Sequence, residues 1–124
     1  MRIALLLAAL AIAACADLPV DRIQSVLADR CEGFPLARES ECDRMQLDDN
    51  DPDWHQKGNA DIFEAMFVAY DRVGAEVRSG ALTEQQGEAR MAGVKALLGK
   101  AAHKIGAGRR QAIAHAVASA GSSG

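Results

Sequence analysis

Few residues in this 124-residue chain combine the types and the spacing that chemistry needs. The cysteines are Cys15, Cys31 and Cys42. Cys31 and Cys42 stand eleven positions apart. A disulfide closing a loop of that size stabilises by roughly 3 kcal/mol through lost loop entropy. The spacing is not C-x-x-C, and no histidine lies within or close to the loop. A structural bridge is therefore expected rather than a redox or metal thiol pair. The histidines are His55, His103 and His115, and no two of them share the i, i+4 spacing of a helical metal pair. Asp49, Asp51 and Asp53 have the spacing of the first three ligands of a calcium loop, but Trp54 takes the glycine position and Ala60 takes the position of the closing glutamate. Nothing in the order of residues assembles a Ser-His-Asp or Cys-His set, and there is no glycine-rich phosphate loop. The expectation is a non-enzyme with no catalytic residues, no metal and no cofactor.

The remaining chemistry is charge. The formal net charge is −3 and the pI about 5.5, which argue against a dedicated nucleic-acid binder. That charge is unevenly divided. Residues 15–64 carry a net −8 and residues 65–124 a net +4. Arg90, Lys95, Lys100, Lys104, Arg109 and Arg110 all fall in the last third. They form a candidate basic face for anionic lipid, cell-wall polymer or an acidic partner, with a solvated face that balances the acidic front half as the plainer alternative. Trp54, Phe63, Phe67 and Tyr70 are candidates for a sticky groove, although residues of this kind at helical spacing more often build a core.

Helices must position all of these groups. Asp17-Leu18-Pro19 reads as a helix start, and Val20, Ile23, Val26 and Leu27 give a helical stripe that runs to Cys31. The run Glu32-Gly33-Phe34-Pro35 breaks it, and a short polar helix can cover 36–47. After an acidic turn, a strong helix is expected from Asn59 or Asp61, with Ile62, Met66, Val73 and Val77 in step and Phe63, Phe67 and Tyr70 widening the apolar face. Ser79-Gly80 stops it. Thr83 and Gln86 have the capping-box spacing, and Met91, Val94, Leu98, Ala101 and Ile105 continue the stripe of a second long helix. Gly106-Ala107-Gly108 kinks or ends that helix, and Ile113 and Val117 mark one more short helix. The fold expected is a small all-α domain over 15–118, with an antiparallel helical hairpin toward its C-terminus, one disulfide staple near its N-terminus, and a disordered tail at 119–124.

The first 14 residues read as a signal peptide. Arg2 is followed by a charge-free apolar run over 3–14 that is too short to cross a bilayer as a helix. The run closes on Ile12-Ala13-Ala14-Cys15, which resembles the bacterial lipobox. That resemblance implies cleavage before Cys15, diacylation of its thiol and a membrane anchor. Ala16 stands where an aspartate would imply inner-membrane retention, so outer-membrane sorting, facing the periplasm, is implied. Ala14-Cys15-Ala16 alternatively fits an A-x-A site cut after Ala16, which would leave a soluble periplasmic protein. Either cut leaves Cys31 and Cys42 as an even pair in an oxidising compartment.

Leu82-Thr83-Glu84-Gln85-Gln86 matches the LTxxQ pentapeptide and so resembles the Spy/CpxP-like periplasmic chaperones. That resemblance implies an exported helical protein that binds unfolded clients. The family typically carries two copies of the pentapeptide, and this chain has one. The stretch from Gly80 through Leu98 is also similar to the short helical-hairpin SHOCT module. The function expected is a small envelope lipoprotein with a structural or interaction role, partnered by the membrane through Cys15 and by an envelope protein or the cell wall, with a client-binding chaperone as the alternative.

Overall fold

The computed structural model describes residues 19–121, which are all-helical with no strand among them. The elements are α1 (Val20–Cys31), α2 (Leu36–Asn50), α3 (Ala60–Arg78), α4 (Glu84–Ala101) and α5 (Gly106–Gly121), with a 3-10 turn at Trp54–Gln56. The signal segment, Cys15, Ala16 and Asp17 lie outside the described residues, as do 122–124. No helix among the described residues is long and apolar enough to cross a membrane.

Each helix follows from local chemistry. Pro19 precedes α1 with φ −58°, and Val20, Ile23, Leu27 and Cys31 form its buried stripe. Gly33, at φ +95°, turns the chain in a conformation that a side chain would resist. Helix α2 then starts after Pro35 and turns Leu36, Asp43 and Leu47 inward. Its first amide is received by the Glu84 carboxylate, at the start of α4. The sulfurs of Cys31 and Cys42 lie 2.09 Å apart with their Cα atoms at 5.6 Å, so a disulfide joins the end of α1 to the middle of α2.

Helix α3 carries the broadest apolar face, with Ile62, Phe63, Met66, Phe67, Tyr70 and Val73 all buried. Thr83 caps α4 as its spacing predicts. Its Oγ1 accepts from the Gln86 amide at 3.1 Å, and the Gln86 Oε1 accepts from the Thr83 amide at 2.9 Å. Met91, Val94, Leu98 and Ala101 are buried along α4. Helices α3, α4 and α5 pack on one another, and the α1–α2 pair packs on α3 and α4. One continuous cluster, from Val20 to Ala120, forms the core.

Two expectations at the C-terminal end are corrected. The stripe of α4 does not continue to Ile105, which is 89% exposed. The helix ends at Ala101, and the turn over 102–105 takes Ile105 out of register before Gly106, at φ +59°, opens the next helix. Nor does the disordered tail begin at 119. Helix α5 runs through Gly121, with Ala116 and Ala120 fully buried. Alanine favours the helix and permits close approach to neighbouring helices, so this small-residue segment is ordered by packing despite its lack of large apolar groups.

Candidate functional site

Asp43 is fully buried. It sits where Leu36 and Leu47 set the apolar register of α2, so the fold carries a carboxylate into the core. Such a charge must be matched or neutralised. Lys95 Nζ, from α4, lies 2.9 Å from Asp43 Oδ2. The Tyr70 hydroxyl, from α3, donates to the same oxygen. Glu39 Oε1 lies 3.2 Å from Lys95 Nζ and 3.3 Å from the Tyr70 hydroxyl. The ammonium also stands 5.0 Å from the centre of the Tyr70 ring. Burial, and after it the Asp43 charge, push the Tyr70 phenol far above the usual tyrosine range. It therefore serves as a fixed donor. Asp43 Oδ1 has no partner among the described residues.

Two members of this network, Glu39 and Lys95, also line a cleft between α1, α2 and α4. The cleft measures about 290 Å³ and reaches Gln24, Ala28, Glu32, Glu39, Glu88 and Lys95 among its walls. Small side chains, Ala92 and Ala96 among them, leave the space open. The Gln24 amide is fixed by donating to the Lys95 carbonyl at 3.0 Å. Three carboxylates line the cleft against one ammonium, and that ammonium is already held by Glu39 and Asp43. The unbalanced field is negative and suits a cationic group.

The six basic residues grouped by sequence do not form one face. Arg90, Lys95 and Lys100 are spaced by five, and each step turns about 140° around a helix. Arg90 pairs with Glu76 at 2.7 Å. Lys95 turns into the network just described. Arg109 binds Asp61 through two nitrogens at 2.6 and 2.8 Å, and also reaches the carbonyls of Gly58 and Ala102. Its guanidinium holds the Asp61 carboxyl below the usual range. Lys100, Lys104 and Arg110 remain exposed.

The other candidates are also placed. Trp54 is core, 6.0 Å from the ring of Phe63, and its indole donates to Asp48 at 2.8 Å. His55 stacks on it at 3.5 Å. Asp51 is buried against Lys57 at 2.5 Å, and Asp53 precedes the 3-10 turn. Among the described residues, no three His, Cys, Asp or Glu side chains are grouped to hold a metal ion. His103 stands 3.3 Å from Asp21, whereas His115 lines a groove with Lys100 and Lys104. Sequence reasoning missed the Asp43–Lys95–Tyr70 network. Its available signal was an acid in the leucine register of α2 and a phenol on the most apolar helix. No known family model, curated protein or solved structure matches this chain.

Proposed function

We propose that this chain is a non-catalytic lipoprotein of the bacterial envelope. It is anchored in the outer membrane through an acylated Cys15 and faces the periplasm. Its role is interaction: the cleft between α1, α2 and α4 receives a cationic group of an envelope partner. In this reading α3 and α4 form an antiparallel helical hairpin, and the bridge between Cys31 and Cys42 ties α1 to α2, the two helices that wall the cleft opposite α4. The observation that carries the reading is the charge of the cleft. Glu32 and Glu88 face it without a basic partner among the described residues, while the ammonium of Lys95 is already held by Glu39 and Asp43. Open carboxylates beside a closed ion-pair network favour binding of a cation over proton transfer.

Two measurements test this. Intact mass and fractionation of the wild type beside Cys15→Ser examine the anchor. A diacylglyceryl adduct on a chain starting at Cys15, with membrane partitioning lost in the variant, supports it. A soluble chain starting at Asp17 in both overturns it. NMR titration with an arginine-containing oligopeptide examines the cleft. Shifts confined to Glu32, Glu88 and Ala92, and lost in Glu32→Gln/Glu88→Gln, support the reading; shifts that survive the double substitution overturn it.

A second reading, client binding by a chaperone, is favoured by a different surface. Phe34 is 44% and Met45 64% exposed, on the rim of a hollow of about 490 Å³ beside Cys42. Suppressed aggregation of a reduced model protein would select this reading, and inertness at equal molar amounts would reject it.

A further inference from the structure

We infer that the groove at the α4–α5 turn, with Ile105 beside it, is a membrane-contact surface that takes the headgroups of anionic phospholipids. The groove measures about 420 Å³, and its walls carry Lys100, Lys104 and His115 but no carboxylate. In a chain with 17 acids, a hollow without one is a local reversal of charge. Leu97 and Ala112 give it an apolar lining. Neither Lys100 nor Lys104 is in a salt bridge among the described residues, unlike Arg90, Lys95 and Arg109. Helix α5 opens beside them with no acid in its first turn and with the exposed Arg110 close behind. Positive charge near a helix N-terminus opposes the helix dipole, and a bound anion would relieve that opposition. Ile105 projects from the same turn at 89% exposure, with the size and polarity to enter a lipid interface.

The position of the groove supplies the occupant. The start of α1 lies against this end of the molecule. Asp21 Oδ2 is 3.3 Å from His103 Nε2, on the α4–α5 turn. A Cβ on Gly99 would stand 3.2 Å from Gln24 and 3.6 Å from Asp21. Cys15 precedes Pro19 by four residues, which can span at most about 14 Å. An acyl chain on Cys15 therefore draws the α4–α5 turn toward the bilayer, while Glu32 of the acidic cleft stands at the opposite end of α1. This step rests on the lipoprotein reading. The surface charge of the groove does not.

The test attaches the tether chemically, so its outcome does not depend on whether a cell acylates Cys15. The mature chain, with its disulfide intact, is coupled through the Cys15 thiol to a maleimide lipid. Ile105→Trp then reports insertion through quenching by brominated acyl chains, in phosphatidylglycerol vesicles against phosphatidylcholine vesicles. Trp54 is buried, and the parent chain supplies its background. Quenching of the introduced indole is expected on phosphatidylglycerol only. Each lysine near an anionic surface is worth about five-fold in occupancy. Lys100→Glu with Lys104→Glu should therefore lower the docked fraction relative to the free by about 25-fold or more. All three positions are exposed, so circular dichroism should be unchanged. Quenching that is equal on both lipids, or that persists in the double reversal, overturns the headgroup assignment. A groove kept for an acidic protein would leave the indole unquenched on both, and that result overturns it as well.

Discussion

Removing the Lys95 ammonium should damage this fold more than any exposed charge does. Lys95→Met keeps the length and much of the apolar stem but leaves Asp43 without its cation. Asp43 is fully buried, and its Oδ1 already lacks a partner. Stranding one member of a buried ion pair costs about 3–5 kcal/mol. The Lys95 side chain is 19% exposed, and the Tyr70 hydroxyl still donates to Asp43, so the lower end applies, about 3 kcal/mol. A domain of this size has a total stability of about 5–10 kcal/mol. With a urea slope near ~1.2 kcal/mol/M, the midpoint falls by about 2.5 M. The diagnostic is the second substitution. Asp43→Asn removes the stranded charge, so Asp43→Asn/Lys95→Met should be more stable than Lys95→Met alone. The coupling should reach about 2 kcal/mol in a double-mutant cycle read by circular dichroism. Additivity within about 0.5 kcal/mol would refute the reasoning, because two independent sites behave that way.

Other perturbations read different parts of the same packing. The Tyr70 phenol is raised above its ordinary value of 10.0, so its contribution is intact below that pH and is lost above it, at about 1.4 kcal/mol per pH unit. Tyr70 is the only tyrosine, so phenolate absorbance should appear together with loss of the helical signal; phenolate at pH 10 in a folded protein would count against its burial. The Asp61 carboxyl is lowered by Arg109, so its contribution holds above the ordinary value of 3.8 and vanishes as pH falls through the folded value. Asp61→Asn should therefore lower the melting temperature at neutral pH and converge with wild type in acid. Gly87→Ala should destabilise by about 1–3 kcal/mol, because its methyl would meet Val77 Cγ2 at 2.7 Å, whereas Gly93→Ala meets nothing and should stabilise by about 0.5–1 kcal/mol in thermal melts. Reducing the Cys31–Cys42 bridge should cost roughly 3 kcal/mol in urea unfolding, and an unchanged midpoint would show that the α1–α2 pair holds without it.

How far the fold was legible depended on how local its cause was. The capping box at Thr83 and Gln86 uses two side chains and two amides within one turn, so spacing alone revealed it. The stripes of α1, α3 and α4 repeat the 3.6-residue period with large apolar groups, and most of those residues are buried, with Val26 and Val77 only half-buried at the margins. Legibility failed where the cause was tertiary. Ile105 continues the arithmetic of the α4 stripe, yet the chain leaves the helix at Ala101, so its period no longer says where the side chain points. Ala116 and Ala120 carry almost no periodic signal, and their burial comes from the helices that pack against α5.

The site shows the same division in its charges. A run of bases along a sequence is one face only when the spacing returns to the same side of the helix. Steps of five do not, and the structure sends Arg90, Lys95 and Lys100 to three different environments. What decides each fate is which carboxylate the neighbouring helix presents. Glu76 holds Arg90, and Glu39 and Asp43 capture Lys95, leaving Lys100 and Lys104 beside a groove with no acid. The acidic front half is therefore not a uniform counterweight to the basic back half. Its Glu39, Asp43 and Asp61 neutralise Lys95 and Arg109, Arg90 takes Glu76 from its own half of the chain, and the pairing leaves uncompensated carboxylates in the cleft and uncompensated lysines at the α4–α5 turn. Two surfaces of opposite sign follow from one incomplete pairing. They lie along different stretches of α4, so a chain tethered beside the basic groove can keep its acidic cleft turned to a partner.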